Sequence, residues 1–323
     1  LGRFYARRAR RILPAAVLTL LVTDLAASHL LNFVRARQVL SDSVWAAAFG
    51  ANVHLARQGS DYFAQAQPPS PLLHFWTLSV EEQFYLVWPA LLAAVFLGTR
   101  RRRLPLLLVA GAGGIGSLAW SIRETRAAPA AAYFSTPART WELALGAVLA
   151  IAAPRLRVRG AAGWIGLAAI AAAAVGFSSA TPFPGYAALL PAGGAALVIA
   201  AGLRPLSVGP LRYIGDRSYA FYLWHWPVLA IAAEYAGRPL GVGVKLALLA
   251  GAFGLSVASY RFVEDPIRRA RLPMRVGALV GPACAAVVLA TALSLGATAA
   301  RVRVAAAAVP LVDPTAVAAQ PPK

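Results

Sequence analysis

The sequence predicts an all-α fold, a polytopic membrane helix bundle of about nine to ten transmembrane helices plus one re-entrant or interfacial helix. Three observations carry that prediction. Of the 323 residues, 59% are hydrophobic and 13% charged, and the mean hydropathy of +0.63 lies far from that of an average soluble domain. About ten apolar segments approach the ~20 residues that cross a bilayer. Arg, Pro and Gly gather in the short joins between them.

The apolar segments run near 12–31, 39–56, 76–97, 104–122, 138–153, 163–178, 186–202, 218–236, 241–262 and 277–299. Lys and Arg accumulate on the cytoplasmic side of a membrane protein, so the arginine clusters decide the threading. If 39–56 does not cross, then Arg3/7/8/10/11, Arg100–Arg103, Arg155/157/159, Arg204/212/217 and Arg261/268/269/271/275 share one side, 20 of the 31 basic residues. If it does cross, the first cluster opposes the other four. The composition of 39–56 agrees with the first threading, since Ser41, Asp42, Ser43, Asn52 and His54 are scattered through it. Polar or irregular backbone at depth is tolerated only against protein or water. Nine spanning helices result, with loop 57–75 facing outward.

The net charge of +19 does not indicate nucleic acid, because the arginines sit between apolar spans rather than on one contiguous face. The single cysteine, Cys284, excludes an intrachain disulfide, and no metal set is predicted. The basic start, the apolar run and Leu25-Ala26-Ala27-Ser28 share the outline of a secretory signal, which Asp24 and the length of the run oppose.

Ionisable residues inside apolar spans are costly and mark functional candidates. In HFWTLSVEEQFYLVWP, helical spacing sets His74, Leu78, Glu81, Tyr85 and Trp88 on one stripe, with Ser79 and Gln83 beside it. A carboxylate there suits proton handling or, equally, a network that clamps helices. Arg139 and Glu142 open the span 138–153 at pairing distance. In YIGDRSYAFYLWHWP, Gly215 and Asp216 are read as a break and cap, after which Ser218, Tyr222 and His225 share a face. His225 reads either as a proton relay or as a satisfied core histidine. In YRFVEDPIRR, Glu264 reaches Arg261 or Arg268 across one turn, an anchor rather than chemistry. Arg7, Arg8, Arg10 and Arg11 place guanidiniums at the inner face, where bidentate donors suit phosphates of lipids or of a cofactor.

Taken together, FYARRARRILP, SDYF, LLHFWTLSVEEQFYLVWP, YFSTPARTWELALGAVLA, YIGDRSYAFYLWHWPVL and RFVEDPIRR resemble the acyltransferase 3 family, the bacterial O-antigen and peptidoglycan acetylase type. The resemblance implies a multi-pass enzyme of the inner or plasma membrane. It would move an acyl group, commonly acetyl from cytoplasmic acyl-CoA, onto a hydroxyl of a cell-surface glycan such as lipopolysaccharide O-antigen, exopolysaccharide or peptidoglycan. No bound cofactor is implied; acyl-CoA is a substrate. By the same resemblance Arg7, Arg8 and Arg11 hold the donor phosphates. Glu81 with Gln83 and Tyr85, Arg139 with Glu142, and Ser218 with Tyr219 and His225 match its other motifs. With His74 and Tyr222 added from the spacing, the expected catalytic set is His74, Glu81 and His225, and the expected substrate contacts are Tyr85, Arg139, Glu142, Ser218 and Tyr222.

Members of the family begin with two further helices, the first carrying the histidine regarded as the base. That residue has no counterpart here, so residues 1–300 are expected to be an N-terminally truncated membrane domain, inactive alone. Residues 301–323 are an Ala/Pro-rich external tail, in some members the lead into an SGNH-type domain. From spacing alone, a proton-coupled transporter or flippase of glycan or lipid intermediates fits the buried ionisable groups equally well. No inverted repeat favours it. On a Cys284→Ala background, an impermeant thiol reagent applied from outside is expected to label Ser60→Cys and spare Arg157→Cys. The reverse at either position would overturn the orientation.

Overall fold

A computed structural model of the chain describes residues 1–58, 68–100, 102–152, 158, 160–269 and positions 287, 293, 296 and 300. Among them the fold is all helix, without a strand. The tail 301–323 and most of the span expected at 277–299 lie outside the described residues.

The central element is α1 (Gly2–Leu30). Ile12, Ala15, Ala16, Thr19, Leu20, Thr23 and Ala27 recur at helical spacing and are buried together. The most apolar stretch of α1 is 56% buried, against 11% in α4 (Phe75–Gly98) and in α5 (Arg103–Ala127). Protein therefore encloses α1, whereas α4 and α5 turn Leu86, Val87, Leu97, Leu108 and Ile115 outward, as a lipid-facing surface requires.

After α1 the chain forms α2 (Phe33–Ala47), capped by the Asn32 side chain on the Arg35 amide at 3.0 Å, then breaks and forms α3 (Ala51–Arg57). At the break Phe49 adopts a left-handed φ of 53°, and the Gly50 amide donates to the Trp45 carbonyl at 2.8 Å. The backbone reverses there, so that His54 returns to within 3.0 Å of Asp42. The turn falls inside the segment 39–56 and divides it between α2 and α3, of 15 and 7 residues.

The remaining elements are α6 (Pro129–Phe134), α7 (Thr136–Ala152), α8 (Gly160–Gly176), α9 (Leu189–Ala201), α10 (Gly209–Ala236), α11 (Val242–Ser259), a π turn at Tyr260–Glu264 and α12 (Asp265–Arg269). Helix α5 packs along α7, α8 along α9, α10 along α11, and α1 along α2 and α10. Four helices, at Gly2–Leu30, Phe75–Gly98, Arg103–Ala127 and Val242–Arg269, are long and apolar enough to cross a membrane among the described residues. That count is smaller than the nine to ten expected. Helices α8 and α9 have 17 and 13 residues, and α10 is long but carries Asp216, Arg217, His225 and Glu234.

Two local expectations are corrected. Gly215 and Asp216 do not break the chain, because α10 starts six residues earlier, at Gly209 with Pro210 in its first turn. Glu264 pairs with neither Arg261 nor Arg268. The π turn redirects it to the Ser259 hydroxyl at 3.4 Å, while Arg268 and Arg269 both take Asp265 at 2.8 Å.

Helices α8 and α9 meet backbone to backbone: a Cβ at Gly166 would lie 2.4 Å from the Gly194 carbonyl oxygen. Gly166→Ala is therefore expected to lower stability by about 1–3 kcal/mol. Gly111→Ala in α5, where a Cβ meets nothing within 4 Å, should be neutral or stabilising. Thermal unfolding of the two variants in detergent compares them.

Candidate active site

The α4 segment from His74 to Leu86 touches three partners, and its helical spacing explains which side chain meets which. Ser79 and Gln83, four residues apart, face the α2–α3 break. The Ser79 hydroxyl accepts the Ala51 amide at 3.2 Å, which caps α3 across space. Gln83 Nε2 donates to the Phe49 carbonyl at 2.8 Å and to Asn52 Oδ1 at 2.9 Å, while its Oε1 accepts from the Thr136 hydroxyl at 2.5 Å. Asn52 Nδ2 in turn donates to the Phe134 carbonyl at 3.2 Å.

On an adjoining stripe lie Glu81, Glu82 and Tyr85, which enclose Arg8 of α1. Arg8 Nε and Nη2 donate to Glu82 at 2.9 and 2.6 Å, and Nη2 also reaches Glu81 at 3.0 Å. The Tyr85 ring lies 3.4 Å beneath the guanidinium carbon, a cation–π contact. Two carboxylates on one guanidinium leave this cluster anionic when both are ionised. Arg7 and Arg11 are exposed and form no salt bridge among the described residues. Next to the clasp opens a cavity of about 260 Å³, bordered by Tyr5, Arg8, Glu82, Gln83 and Tyr85 and closed by apolar Ile12, Leu13, Ala48, Phe49 and Leu86.

The third partner is α10. Pro227 has no amide hydrogen, so the Leu223 carbonyl four residues earlier loses its helical donor. His74 Nε2 supplies the missing bond at 3.2 Å. A carbonyl only accepts, so the neutral His74 ring carries its proton on Nε2 and its lone pair on Nδ1, which is buried with no partner. His225 is the reverse: Nδ1 donates to the Tyr222 carbonyl at 2.7 Å, leaving Nε2 as the basic nitrogen. The two rings sit 5.8 Å apart, with the Tyr222 hydroxyl donating to the His74 carbonyl at 2.5 Å and contacting the Thr77 hydroxyl. Eight residues of α4 separate His74 from Glu82, roughly 12 Å along the helix.

The structure thus gathers the predicted residues into separate groups. Arg8, Glu81 and Tyr85 come together, as do His74, Tyr222 and His225. Arg139 and Glu142 pair at 2.9 Å as their spacing predicts, but elsewhere, with the buried guanidinium among Trp76, Tyr133 and Phe183. Ser218 joins none of them: it is exposed and bonds its own helix at Gly215. Sequence reasoning missed Phe49, Thr77 and Thr136, and marked Asn52 only as a polar residue of 39–56. Gly50 was the available signal for the break, and Pro227 for an orphan carbonyl at Leu223.

A further polar group near the α2 start was legible only as scattered residues. Asp42 accepts from Ser70 at 2.6 Å and meets His54 at 3.0 Å, and Arg35 pairs with Glu234 at 2.7 Å. Burial pushes the Asp42 carboxyl above its usual range against the opposing pull of Ser70 and His54. No group of His, Cys, Asp and Glu among the described residues could hold a metal ion.

The sequence pattern of a known family, described as an acyltransferase domain, matches residues 1–261. The chain belongs to the acyltransferase 3 family. The family match covers the Arg8 clasp, the cavity and the His74–His225 group alike. The chain is 28% identical over 291 residues to the peptidoglycan O-acetyltransferase OatA of Listeria monocytogenes, covering 83% of this chain and 46% of that protein. It is 30% identical over 301 residues to the putative peptidoglycan O-acetyltransferase YrhL of Bacillus subtilis, covering 82% and 45%. To the O-acetyltransferase OatA of Staphylococcus aureus it is 30% identical over 293 residues, covering 82% and 47%. The chain spans about half the length of these relatives. No solved structure matches it.

Removing Arg8 would strand Glu82, whose side chain is only 18% exposed, beside Glu81. Arg8→Ala is expected to cost about 1.5–3 kcal/mol of stability, and Arg7→Ala close to nothing. Combining Arg8→Ala with Glu82→Gln should return part of the loss, which thermal unfolding in detergent of the single and double variants measures.

Proposed function

We infer that the protein is a membrane O-acetyltransferase of the cell envelope, taking acetyl from acetyl-CoA at the cytoplasmic side and passing it to a hydroxyl of a glycan. The observation that carries this reading is the family match over residues 1–261. The names of the relatives favour peptidoglycan over lipopolysaccharide as the acceptor.

In this reading the donor phosphates lie against Arg7 and Arg11, the exposed cations in the same turns of α1 as Arg8. Arg8 is a positioning residue, since an anionic clasp would repel a phosphate. The pantetheine arm enters the cavity between α1, α4 and the α2–α3 break. Transfer itself is an acyl substitution: the acceptor oxygen bonds to the thioester carbonyl carbon, the carbon–sulfur bond breaks, and the hydroxyl proton leaves to a base while CoA departs as the thiol. Of the two paired histidines, His225 carries the basic nitrogen on the more accessible ring, whereas His74 is fixed to Leu223. In this reading His225 relays a proton on the α10 side.

The test uses inside-out membrane vesicles from cells making the full-length protein, supplied with acetyl-labelled acetyl-CoA. Base-labile label should appear on glycan. The Arg7→Ala/Arg11→Ala double variant should raise KM for acetyl-CoA about tenfold or more, because each lost phosphate contact is worth ~1.5–3 kcal/mol. Absence of label with the unaltered protein would sink the reading.

A further inference from the structure

Phe49 stands out among the described residues as one of two non-glycine positions with a left-handed backbone, φ 53°. Such a conformation costs energy and persists only where surrounding structure enforces it. Here the enforcement comes from α4 and α2, since Gln83 donates to the Phe49 carbonyl at 2.8 Å and the Phe49 amide donates to the Ala46 carbonyl at 3.1 Å. A glycine would take this turn without strain, and one follows immediately at Gly50. The strained position nevertheless carries a large aromatic ring.

That ring separates two spaces. It lines the 260 Å³ cavity beside Arg8, and it also borders a second space of about 10 Å³ that continues along α1 past Ala16, Val17 and Leu20. Phe49 and Leu13 are the residues common to both linings. A space of ~10 Å³ accepts about one water probe, too little for an alkyl chain. The lining combines Arg8, Glu82 and Gln83 with Ile12, Leu13, Ala48 and Phe49, so a molecule in the cavity meets both polar groups and hydrocarbon. That combination of polar groups and hydrocarbon suits an acyl thioester, whose acyl end takes the apolar side.

We propose that Phe49 is the specificity-determining residue for the acyl group: its ring ends the cavity where an acetyl group fits and blocks the path along α1 that a longer chain would follow. This rests on the acyl-CoA reading above. Leu13 forms the facing side of the same constriction. Opening the constriction would join the two spaces and extend the apolar path from Leu13 to Leu20, roughly 10 Å along α1.

The test measures acetyl and hexanoyl transfer from the two CoA thioesters, using the full-length protein in vesicles. Phe49→Gly removes the ring at a position whose backbone favours glycine, and Leu13→Ala opens the same constriction without touching the turn. The unaltered protein should prefer acetyl. Each variant should raise the hexanoyl-to-acetyl ratio by about tenfold or more, a shift that general loss of stability does not produce. If a variant has lost turnover, the ratio is read from competition of hexanoyl-CoA against labelled acetyl-CoA for binding. A ratio within twofold of the unaltered protein in both variants would overturn the assignment of Phe49. Failure of the unaltered protein to use acetyl-CoA would instead overturn the donor reading, and this inference with it.

Discussion

A helix that turns back inside an apolar bundle leaves backbone donors and acceptors without partners, and everything around the candidate site depends on how that debt is met. At residues 48–50 the ladder between α2 and α3 is interrupted. Water or lipid cannot satisfy it at low cost, so side chains from α4 do: Ser79 on the Ala51 amide and Gln83 on the Phe49 carbonyl. Gln83 is itself fixed by Thr136 and Asn52, which ties α7 and the end of α6 to the same point. A polar network of this kind is specific because each member loses more when unpaired than it gains when paired.

The same stretch of α4 also sets the spacing between charge and imidazole. Glu81 and Glu82 hold Arg8 of α1 near one end of the cavity, and His74 holds α10 about 12 Å away along the helix. The bond to α10 exists because Pro227 frees a carbonyl, so a proline that weakens one helix creates the docking point for another. The Arg8 clasp and the His74–Leu223 bond are thereby fixed to one rigid element rather than to loops, which favours a constant distance between them.

Opposite charges in this bundle mostly neutralise one another in place. Arg8, Arg35 and Arg139 each meet a carboxylate, and Arg139 is also surrounded by three aromatic rings. Such pairs clamp helices, and a cation already matched has little left for a ligand. The exposed Arg7 and Arg11 form no such pair among the described residues, although the four arginines look alike in the string Arg7-Arg8-Ala9-Arg10-Arg11.

The sequence by itself determined the helical class, the family and the pairs that lie within one turn, such as Arg139 with Glu142. Hydropathy and the 3.6-residue period are local properties, and an ordered set of motifs survives without coordinates. It also marked 39–56 as rich in polar residues, of which Asp42, Asn52 and His54 take partners around the reversal. Tertiary structure alone decided which charge meets which: Arg8 with Glu82 across 74 residues, and Arg35 with Glu234 across 199. It also moved the start of α10 ahead of Gly215, joined His74 to Leu223, and set Phe49 in the lining of a cavity. Those outcomes follow from helices meeting in space, where burial and unsatisfied backbone choose partners that no spacing along the chain can specify.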